Sequence, residues 1–389
     1  MNNLPNPIAL MMFSGDFGGM ERVVLSLAQS LQENNIPVIV YIIIESRAGI
    51  ERLTRLHSFL DTLPSAIKTR VFETEKRYDK VLRREIAQAL LKDQVCLVHC
   101  HCHKSAFYLA RIKKNKELVN IPIVFTLHGI FLNRKKISSL AVLVGYFYAM
   151  ANADVIILCA WHLGSHLQWL PWLNHKSQII QNALPNQPFP ISRITAREKL
   201  AQQFHLDKDA LWVANIGRLA PEKNFELFLA ISAKVKSTFA AKVQYLIIGD
   251  GPSKHSLQKL ARMINVGSDV LFTGFVDDIE TVNAAIDVFM MTSNTEGTSM
   301  SLLEAMRAGL PIVVTDVGGN KDIVQSGENG ILFPAANILE GSEVLIKLLG
   351  NAELRNKLGK NAHTTWENHF SPTHWVAKHQ AIYNSLLNL

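Results

Sequence analysis

Glu296–Gly309 reads EGTSMSLLEAMRAG, and a short apolar run, Val288–Met291, leads into it. An apolar run, a tight Gly turn and a helix that opens with hydroxyl residues together predict an anion site. The first backbone N–H groups of such a helix have no intrahelical partner, and its positive dipole end points the same way. Two carboxylates bracket the site, Glu296 before the turn and Glu304 inside the helix. From Met300 to Glu304 the helix climbs roughly 6–8 Å, so the second acid reaches well beyond the anion. The layout suits a phosphate bridge with a sugar-like group at each end.

Outward from this stretch, one pattern repeats along the chain. Apolar runs are predicted as strands at Ile8–Phe13, Val38–Ile44, Lys68–Phe72, Cys96–Cys102, Ile121–Leu127, Asp154–Cys159 and Gln178–Gln181. Helical spacing appears between them, near Val24–Leu31, Gly49–Leu60 and Asp79–Lys92. NALPNQPFP, Asn182–Pro190, carries prolines that an inner strand or helix excludes, and it reads as a linker. Beyond it the alternation restarts: Leu211–Ile216, Gln244–Ile248, Val270–Thr273, Val288–Thr292, Pro311–Thr315 and Gly330–Phe333 are the strands. A helix is predicted at Phe225–Lys236. Regular alternation of this kind predicts an α/β chain with two doubly wound, Rossmann-like domains facing a cleft. The expected boundaries are 1–185, 186–370 and a final helix over 371–389. That helix starts at Ser371-Pro372 and carries a Trp375, His379, Tyr383 stripe that continues to Leu386 or Leu387.

The 389 residues accommodate two cores, and 48% hydrophobic with 19% charged residues is the composition of a folded chain. A net charge of +7 and a pI near 9.1 permit an acidic partner without specifying one. The basic residues are scattered and no Arg/aromatic platform appears, so a nucleic-acid reader is a poor fit. The N-terminus lacks a basic leader and reads as the first strand, which implies a cytoplasmic protein. Ile137–Ala151 is too short an apolar run to span a bilayer, so a buried helix is expected there. Arg134, Lys135 and Lys136 beside it leave a peripheral contact with an anionic membrane open.

Several residues have the chemistry that expulsion of a phosphate requires. Arg218 and Lys223 in GRLAPEKN follow a strand; they either converge on one anion or form a solvated basic loop. Gly18 and Gly19 lie in a turn where Gly15, Gly18 and Gly19 permit positive φ, and the turn offers backbone N–H groups. No GxGxxG occurs there, so a dinucleotide fingerprint is absent. His128 ends a strand and is either a core histidine or a donor to an oxyanion or sugar hydroxyl. No GxSxG elbow and no GxxxxGKS loop is present, which argues against a serine hydrolase and a P-loop ATPase. CLVHCHCHK suggests a metal, yet strand alternation would turn Cys96, Cys100 and Cys102 one way and His99, His101 and His103 the other. One zinc does not collect both sets, so no metal site is expected. Asp277 and Asp278 read as partners of a helix N-terminus.

FGGMER, TLHG, NIGRLAPEKN, GDGP and above all EGTSMSLLEAMRAGLPIVVTDVGGN resemble the retaining GT-B glycosyltransferases. This group includes sucrose synthases, phosphatidylinositol mannosyltransferases and lipopolysaccharide and capsule enzymes. The resemblance spans nearly the whole chain and is densest from Asn215 to Phe333. It implies transfer of a sugar from a UDP- or GDP-linked donor to a saccharide or lipid-linked acceptor, with retention at the anomeric carbon and no metal or other cofactor. By this resemblance Glu296 contacts donor-sugar hydroxyls, and Gly297, Thr298, Ser299, Met300 and Ser301 supply N–H groups to sugar and phosphate. Glu304 would bond the ribose. Arg218 and Lys223 would stabilise the departing diphosphate, Gly18 and Gly19 would approach it, and His128 would touch the donor sugar. Gly249, Gly251, Phe275 and Val276 would border the base, and the final helix would brace the first domain. Relatives often carry an aromatic residue or Pro after the first Glu-Gly; Thr298-Ser299-Met300 here leaves the sugar unspecified. A nucleotide-sugar epimerase and a non-catalytic nucleotide-sugar binder are the alternatives.

Overall fold

The long β-branched runs become parallel strands, most of them covered on both faces, as an α/β layer requires. The computed structural model describes residues 6–14, 18–45, 54, 60, 65, 67–76, 78–115, 117, 121–128, 138–161, 163–164, 170–185 and 191–388. It divides into two units: unit 1 is Met1–Pro185 with Pro372–Leu389, and unit 2 is Asn186–Ser371. The helix expected near Gly49–Leu60, Gly15, Gly129 and the basic residues 134–136 lie outside the described residues.

In unit 1 the elements run β1 (Ile8–Ser14), α1 (Gly19–Glu33), β2 (Val38–Glu45), β3 (Lys68–Thr74), α2 (Lys80–Lys92), β4 (Leu97–Cys100) and α3 (His103–Lys114). They continue with β5 (Ile123–Leu127), α4 (Ser138–Asn152), β6 (Val155–Leu158), α5 (Pro171–Asn174) and β7 (Ser177–Ile179). Unit 2 holds α6 (Arg193–Phe204), β8 (Leu211–Ile216), a 3₁₀ turn at Pro221–Lys223, α7 (Phe225–Thr238), β9 (Val243–Ile248) and α8 (Lys254–Met263). Next come β10 (Val270–Gly274), α9 (Ile279–Ala285), β11 (Val288–Met291), α10 (Met300–Arg307), β12 (Ile312–Thr315), α11 (Asn320–Ile323) and β13 (Ile331–Phe333). The chain closes with α12 (Ile338–Leu349), α13 (Ala352–His369) and α14 (Pro372–Leu387), the last belonging to unit 1.

Among the described residues, unit 1 has the strand order β3-β2-β1-β4-β5-β6-β7 and unit 2 the order β10-β9-β8-β11-β12-β13. All the strand pairs are parallel. The order reverses between β1 and β4 in unit 1, and between β8 and β11 in unit 2. At each reversal the connections leave in opposite directions and open a crevice at the carboxyl edge. Tyr41, Tyr108 and Phe125 fill the unit 1 core; Phe228, Tyr245 and Phe333 fill that of unit 2. Each such side chain contributes about 1.5–3 kcal/mol relative to exposure. Helix α14 buries Trp375, Val376, His379, Ile382 and Tyr383 in unit 1.

Three local expectations are corrected. The strand expected over Cys96–Cys102 stops at Cys100, because Cys102 is the N-cap of α3 and its Sγ accepts from the Ser105 N–H. Helix α4 is not a buried helix. Its described side chains bury only Ala149 and Met150, while Val144 and Phe147 are exposed. One face packs on α3, with Tyr146 against His103 and Tyr148 against Phe107. Gly18 and Gly19 do not take positive φ: Gly18 is extended (φ −153°) as the N-cap of α1, and Gly19 is the first helical residue.

Helix α13 and the turn that ends α10 meet through glycines. A Cβ on Gly359 would overlap the carbonyl oxygen of Gly309. Ala is favoured over Gly by about 1 kcal/mol inside an unconstrained helix. Gly359→Ala is nevertheless expected to destabilise by about 1–3 kcal/mol, since two backbones must part. Urea unfolding checks this, and a stabilised variant would show that the helices separate freely.

Candidate active site

The crevice of unit 2 is built from the loops after β8 and β11. Asn215 Nδ2, at the end of β8, donates to Thr292 Oγ1 across the switch point (3.1 Å). Thr292 Oγ1 in turn donates to the Asn224 carbonyl (2.9 Å), and the Asn294 N–H donates to the Glu222 carbonyl (2.8 Å). Asn224 takes a left-handed conformation (φ 48°), which Asn tolerates, and its side chain caps α7. These bonds hold the 3₁₀ turn carrying Lys223 against the segment carrying Glu296.

Glu296 is buried at 6% exposure. Its Oε1 accepts from Lys223 Nζ (2.6 Å) and from Ser293 Oγ. Its backbone is wrapped by the turn at Gly318-Gly319. The Gly319 N–H donates to the Glu296 carbonyl (2.9 Å), and a Cβ on Gly318 (φ 48°) would overlap that same oxygen. Ser293 is tied from the other side by Thr315 Oγ1, which donates to its carbonyl (2.7 Å). The carboxylate is therefore fixed by three loops at once.

Helix α10 starts beside this group. Ser299 is its N-cap, but the Ser299 side chain does not cap it; Oγ lies 3.1 Å from Ser301 Oγ instead. The first-turn N–H groups thus have no side-chain cap, which keeps the positive end of the helix open to an anion. Thr298, Ser299, Met300 and Glu304 are all buried, and Glu304 follows one turn into the helix. Arg218 is 63% exposed in its side chain and donates to Glu222 (2.7 Å). Burial raises the Glu222 carboxyl, but the hydrogen bond and charge of Arg218, a backbone hydrogen bond and the charge of Lys223 together outweigh it and hold the group below its usual range. Arg218 and Lys223 thus rest on different carboxylates instead of on each other's side of one empty anion site.

Gly249 and Gly251 serve packing as well. The loop after β9 lies on the loop after β8: Gly217 N–H donates to Ile248 and Leu219 N–H to Asp250 (both 2.9 Å). Gly249 has φ 133°, and a Cβ on either glycine would overlap a carbonyl of the Gly217–Leu219 segment. Phe275 and Val276 follow β10, next to the bridge between Gly249 and Gly274. Asp278 accepts from the Thr281 N–H (3.0 Å) and caps α9, the role expected for that acid pair.

In unit 1, Gly18 and Gly19 open α1, but the Gly18 N–H already donates to Glu21 Oε2 (3.1 Å). Glu21 is buried, and its other oxygen accepts from Ser14 Oγ (3.0 Å). His128 lies at the end of β5, with Nε2 3.2 Å from His101 Nδ1. His101 stacks on His99 with ring centroids 4.2 Å apart. His99 in turn bonds Thr126 Oγ1 (2.6 Å) and Tyr383 Oη (2.8 Å). His379 on α14 lies 5.7 Å from His99 between ring centroids. Strand alternation foresaw that His99 and His101 share a face. It placed His103 with them, whereas His103 opens α3 and its ring packs on Tyr146 of α4. It gave no sign that His379, read on the stripe of the final helix, lies beside His99. Gly318, Ser293 and Asn320, whose side chain donates to the Thr315 carbonyl, were likewise missed. The GG of TDVGGN was the available signal. Among the described residues, no group of three His, Cys, Asp or Glu is disposed to hold a metal ion.

Two parallel α/β units, with a buried carboxylate and an uncapped helix N-terminus at one switch point, define the GT-B class of glycosyltransferases, and the chain belongs to that group. Residues 17–185 match the model of Glycosyltransferase Family 4, and residues 196–365 that of the Glycosyl transferases group 1. N-acetyl-alpha-D-glucosaminyl L-malate synthase of Bacillus anthracis is 25% identical over 80% of each chain. An Escherichia coli UDP-Gal:alpha-D-GlcNAc-diphosphoundecaprenol alpha-1,3-galactosyltransferase is 26% identical over 76% of each. HepE of Anabaena, solved with UDP and glucose, has the same fold (TM-score 0.78, 20% identity, 99% of this chain and 100% of that one). So does sucrose-phosphate synthase of Thermosynechococcus elongatus (TM-score 0.80, 18% identity, 98% of this chain and 99% of that one). The chain is a glycosyltransferase of glycoconjugate or polysaccharide synthesis.

The imidazoles of unit 1 have a measurable consequence. Burial pushes His128 and His379 down to about 4, and His99 and His101 well below the ordinary range. The unfolded chain binds protons on these rings below about pH 6.5, while the folded chain keeps His128 and His379 neutral until about pH 4 and holds His99 and His101 neutral well below their ordinary range. Stability is therefore full above pH 6.5 and is lost as the pH falls towards 4. Each ring contributes up to about 1.4 kcal/mol per pH unit in that window. Urea unfolding at pH 7 and pH 5 checks the slope. His379→Gln should flatten it, and an unchanged slope would remove His379 from the account.

Proposed function

We propose that this chain moves a hexosyl group from a nucleotide-diphospho-sugar, UDP- or GDP-linked, to a hydroxyl of a saccharide or lipid-linked acceptor. The anomeric configuration is retained and no metal takes part. The observation that carries this reading is the Glu296 carboxylate, held by Lys223 and Ser293 beside the uncapped start of α10. The reading assigns the diphosphate to the N–H groups of Gly297–Ser301 and the ribose to Glu304. Gly249, Gly251, Phe275 and Val276 border the base. Glu296 accepts from donor-sugar hydroxyls.

The leaving diphosphate needs cations. Lys223 is already at the site, and Arg218 is exposed enough to exchange Glu222 for a phosphate. Two side chains of fixed charge then supply the neutralisation that a metal supplies elsewhere. Front-face attack follows, with the departing phosphate taking the acceptor proton. Gly18, Gly19 and His128 of unit 1 are assigned to diphosphate and donor sugar by the same resemblance. Support for the donor comes from HepE, solved with UDP-glucose. Support for the acceptor comes from the E. coli relative, whose name specifies a diphosphoundecaprenol-linked sugar. The exposed Val144 and Phe147 of α4 support a peripheral membrane contact on the cytoplasmic face, although no described helix is long and apolar enough to cross a membrane.

Glu296→Gln and Arg218→Ala should each lower kcat/KM about 10²-fold with little change in Tm, if each group acts on transition-state charge. Near-normal turnover in both would remove these roles. NMR of the product decides retention through its anomeric coupling, and full activity in EDTA decides metal independence. Flotation with anionic vesicles reads the membrane contact: Val144→Ser with Phe147→Ser should weaken it, and no binding by the parent protein would end that part of the proposal.

A further inference from the structure

The buried imidazoles at the carboxyl edge of the unit 1 sheet leave one question open: which nitrogen of His128 carries its proton. His101 Nδ1 and His128 Nε2 are 3.2 Å apart, so one proton lies between them. Two arrangements are available while both rings are neutral. In the first, His128 Nε2–H donates to a bare His101 Nδ1, and the proton of His101 sits on Nε2. In the second, His101 Nδ1–H donates, and its Nε2 is a bare lone pair.

His101 Nε2 decides between them. It is buried and has no hydrogen-bond partner among the described residues. The first arrangement would bury an N–H donor with nothing to accept it, a situation that folded proteins avoid more strictly than an unfilled acceptor. The second leaves only an unfilled lone pair. His99 does not compete for that proton, because both its ring nitrogens are occupied by hydroxyls, Tyr383 Oη and Thr126 Oγ1.

A doubly protonated pair has no support from its surroundings. The titratable groups around it are His99 on β4, His379 and Tyr383 on α14, and Cys159, whose Sγ reaches the His128 carbonyl. The charge of Lys378 acts on His379 and disfavours a further cation. None of these is a carboxylate.

We infer that His101 is a positioning residue: it donates from Nδ1 to His128 Nε2 and so fixes His128 in the tautomer that carries its proton on Nδ1. The Nδ1 edge of His128 has no partner among the described residues, and the residue is half-buried at the end of β5. His128 then meets its ligand as a hydrogen-bond donor. An oxygen acceptor, such as a sugar hydroxyl, is the matching group. The identity of that ligand rests on the glycosyl-transfer reading; the tautomer does not.

The test is long-range ¹H–¹⁵N NMR on protein labelled at histidine, with the His128 signals assigned through His128→Gln. The wild type should show Nδ1 protonated and Nε2 unprotonated. His101→Asn places an amide N–H at the position of Nδ1, so it should keep that tautomer and turnover within a few-fold. His101→Leu removes the donor; Nε2 of His128 should then gain protonation, with kcat/KM down about 10-fold, the worth of one hydrogen bond. Wild-type His128 protonated on Nε2 would overturn the inference. So would His101→Leu, folded by circular dichroism, with both tautomer and turnover unchanged. If the wild type transfers sugar from no nucleotide-sugar donor, the functional reading fails, while the spectrum still decides the tautomer.

Discussion

The ion pair between Lys223 and Glu296 is the constraint that organises unit 2. A carboxylate at 6% exposure costs several kcal/mol unless it is paired and hydrogen-bonded. Lys223 and Ser293 meet that need, but only if their loops are held in place. Hence the left-handed Asn224, the Asn215–Thr292–Asn224 chain of bonds, and the Gly318 turn pressed on the Glu296 backbone. Removal of Lys223 would leave a buried charge with one hydroxyl. The pair is therefore less a source of stability than a reason for the surrounding backbone to adopt one arrangement. A carboxylate held this way meets a hydrogen-bond donor without first reorganising.

The strands were legible because their cause is local. Val38–Ile44 is β-branched throughout, and burial on both faces in a parallel sheet is what such a run can satisfy. The Leu211–Ile216 strand has the bounds that its composition implies. Errors arose where a local pattern met a competing cap or a distant partner. Cys96–Cys102 alternates like a strand, yet Cys102 is committed to α3. The apolar Ile137–Ala151 run suggests burial, but only one side of α4 has a helix to pack on. Of the site, Glu296 and Lys223 were identified separately, and their 2.6 Å contact was not. Gly318 was visible only as part of a motif, because its need for φ 48° comes from a carbonyl twenty-two residues earlier. His379 was read on the apolar stripe of the final helix, but not beside His99: that neighbour on β4 is brought to it by the return of α14 to unit 1.

The two switch points solve the problem of buried polarity in opposite ways. Unit 2 buries charge and balances it with charge. Unit 1 buries imidazoles and keeps them neutral, since burial depresses His99, His101, His128 and His379 alike. Each choice carries its own requirement. A buried ion needs a counterion at short range, which Lys223 provides. A buried neutral imidazole needs a defined tautomer, because either nitrogen can hold the proton and the two tautomers present opposite faces, donor or acceptor, to a ligand. A hydrogen bond whose direction is set by an unfilled position at its far end supplies that definition. The His99 hydroxyl partners leave that ring free in either state, so the direction is imposed at His101, by the absence of any acceptor beside Nε2. An unsatisfied buried atom is usually a defect; here it breaks the symmetry of the imidazole row and gives His128 its donor face.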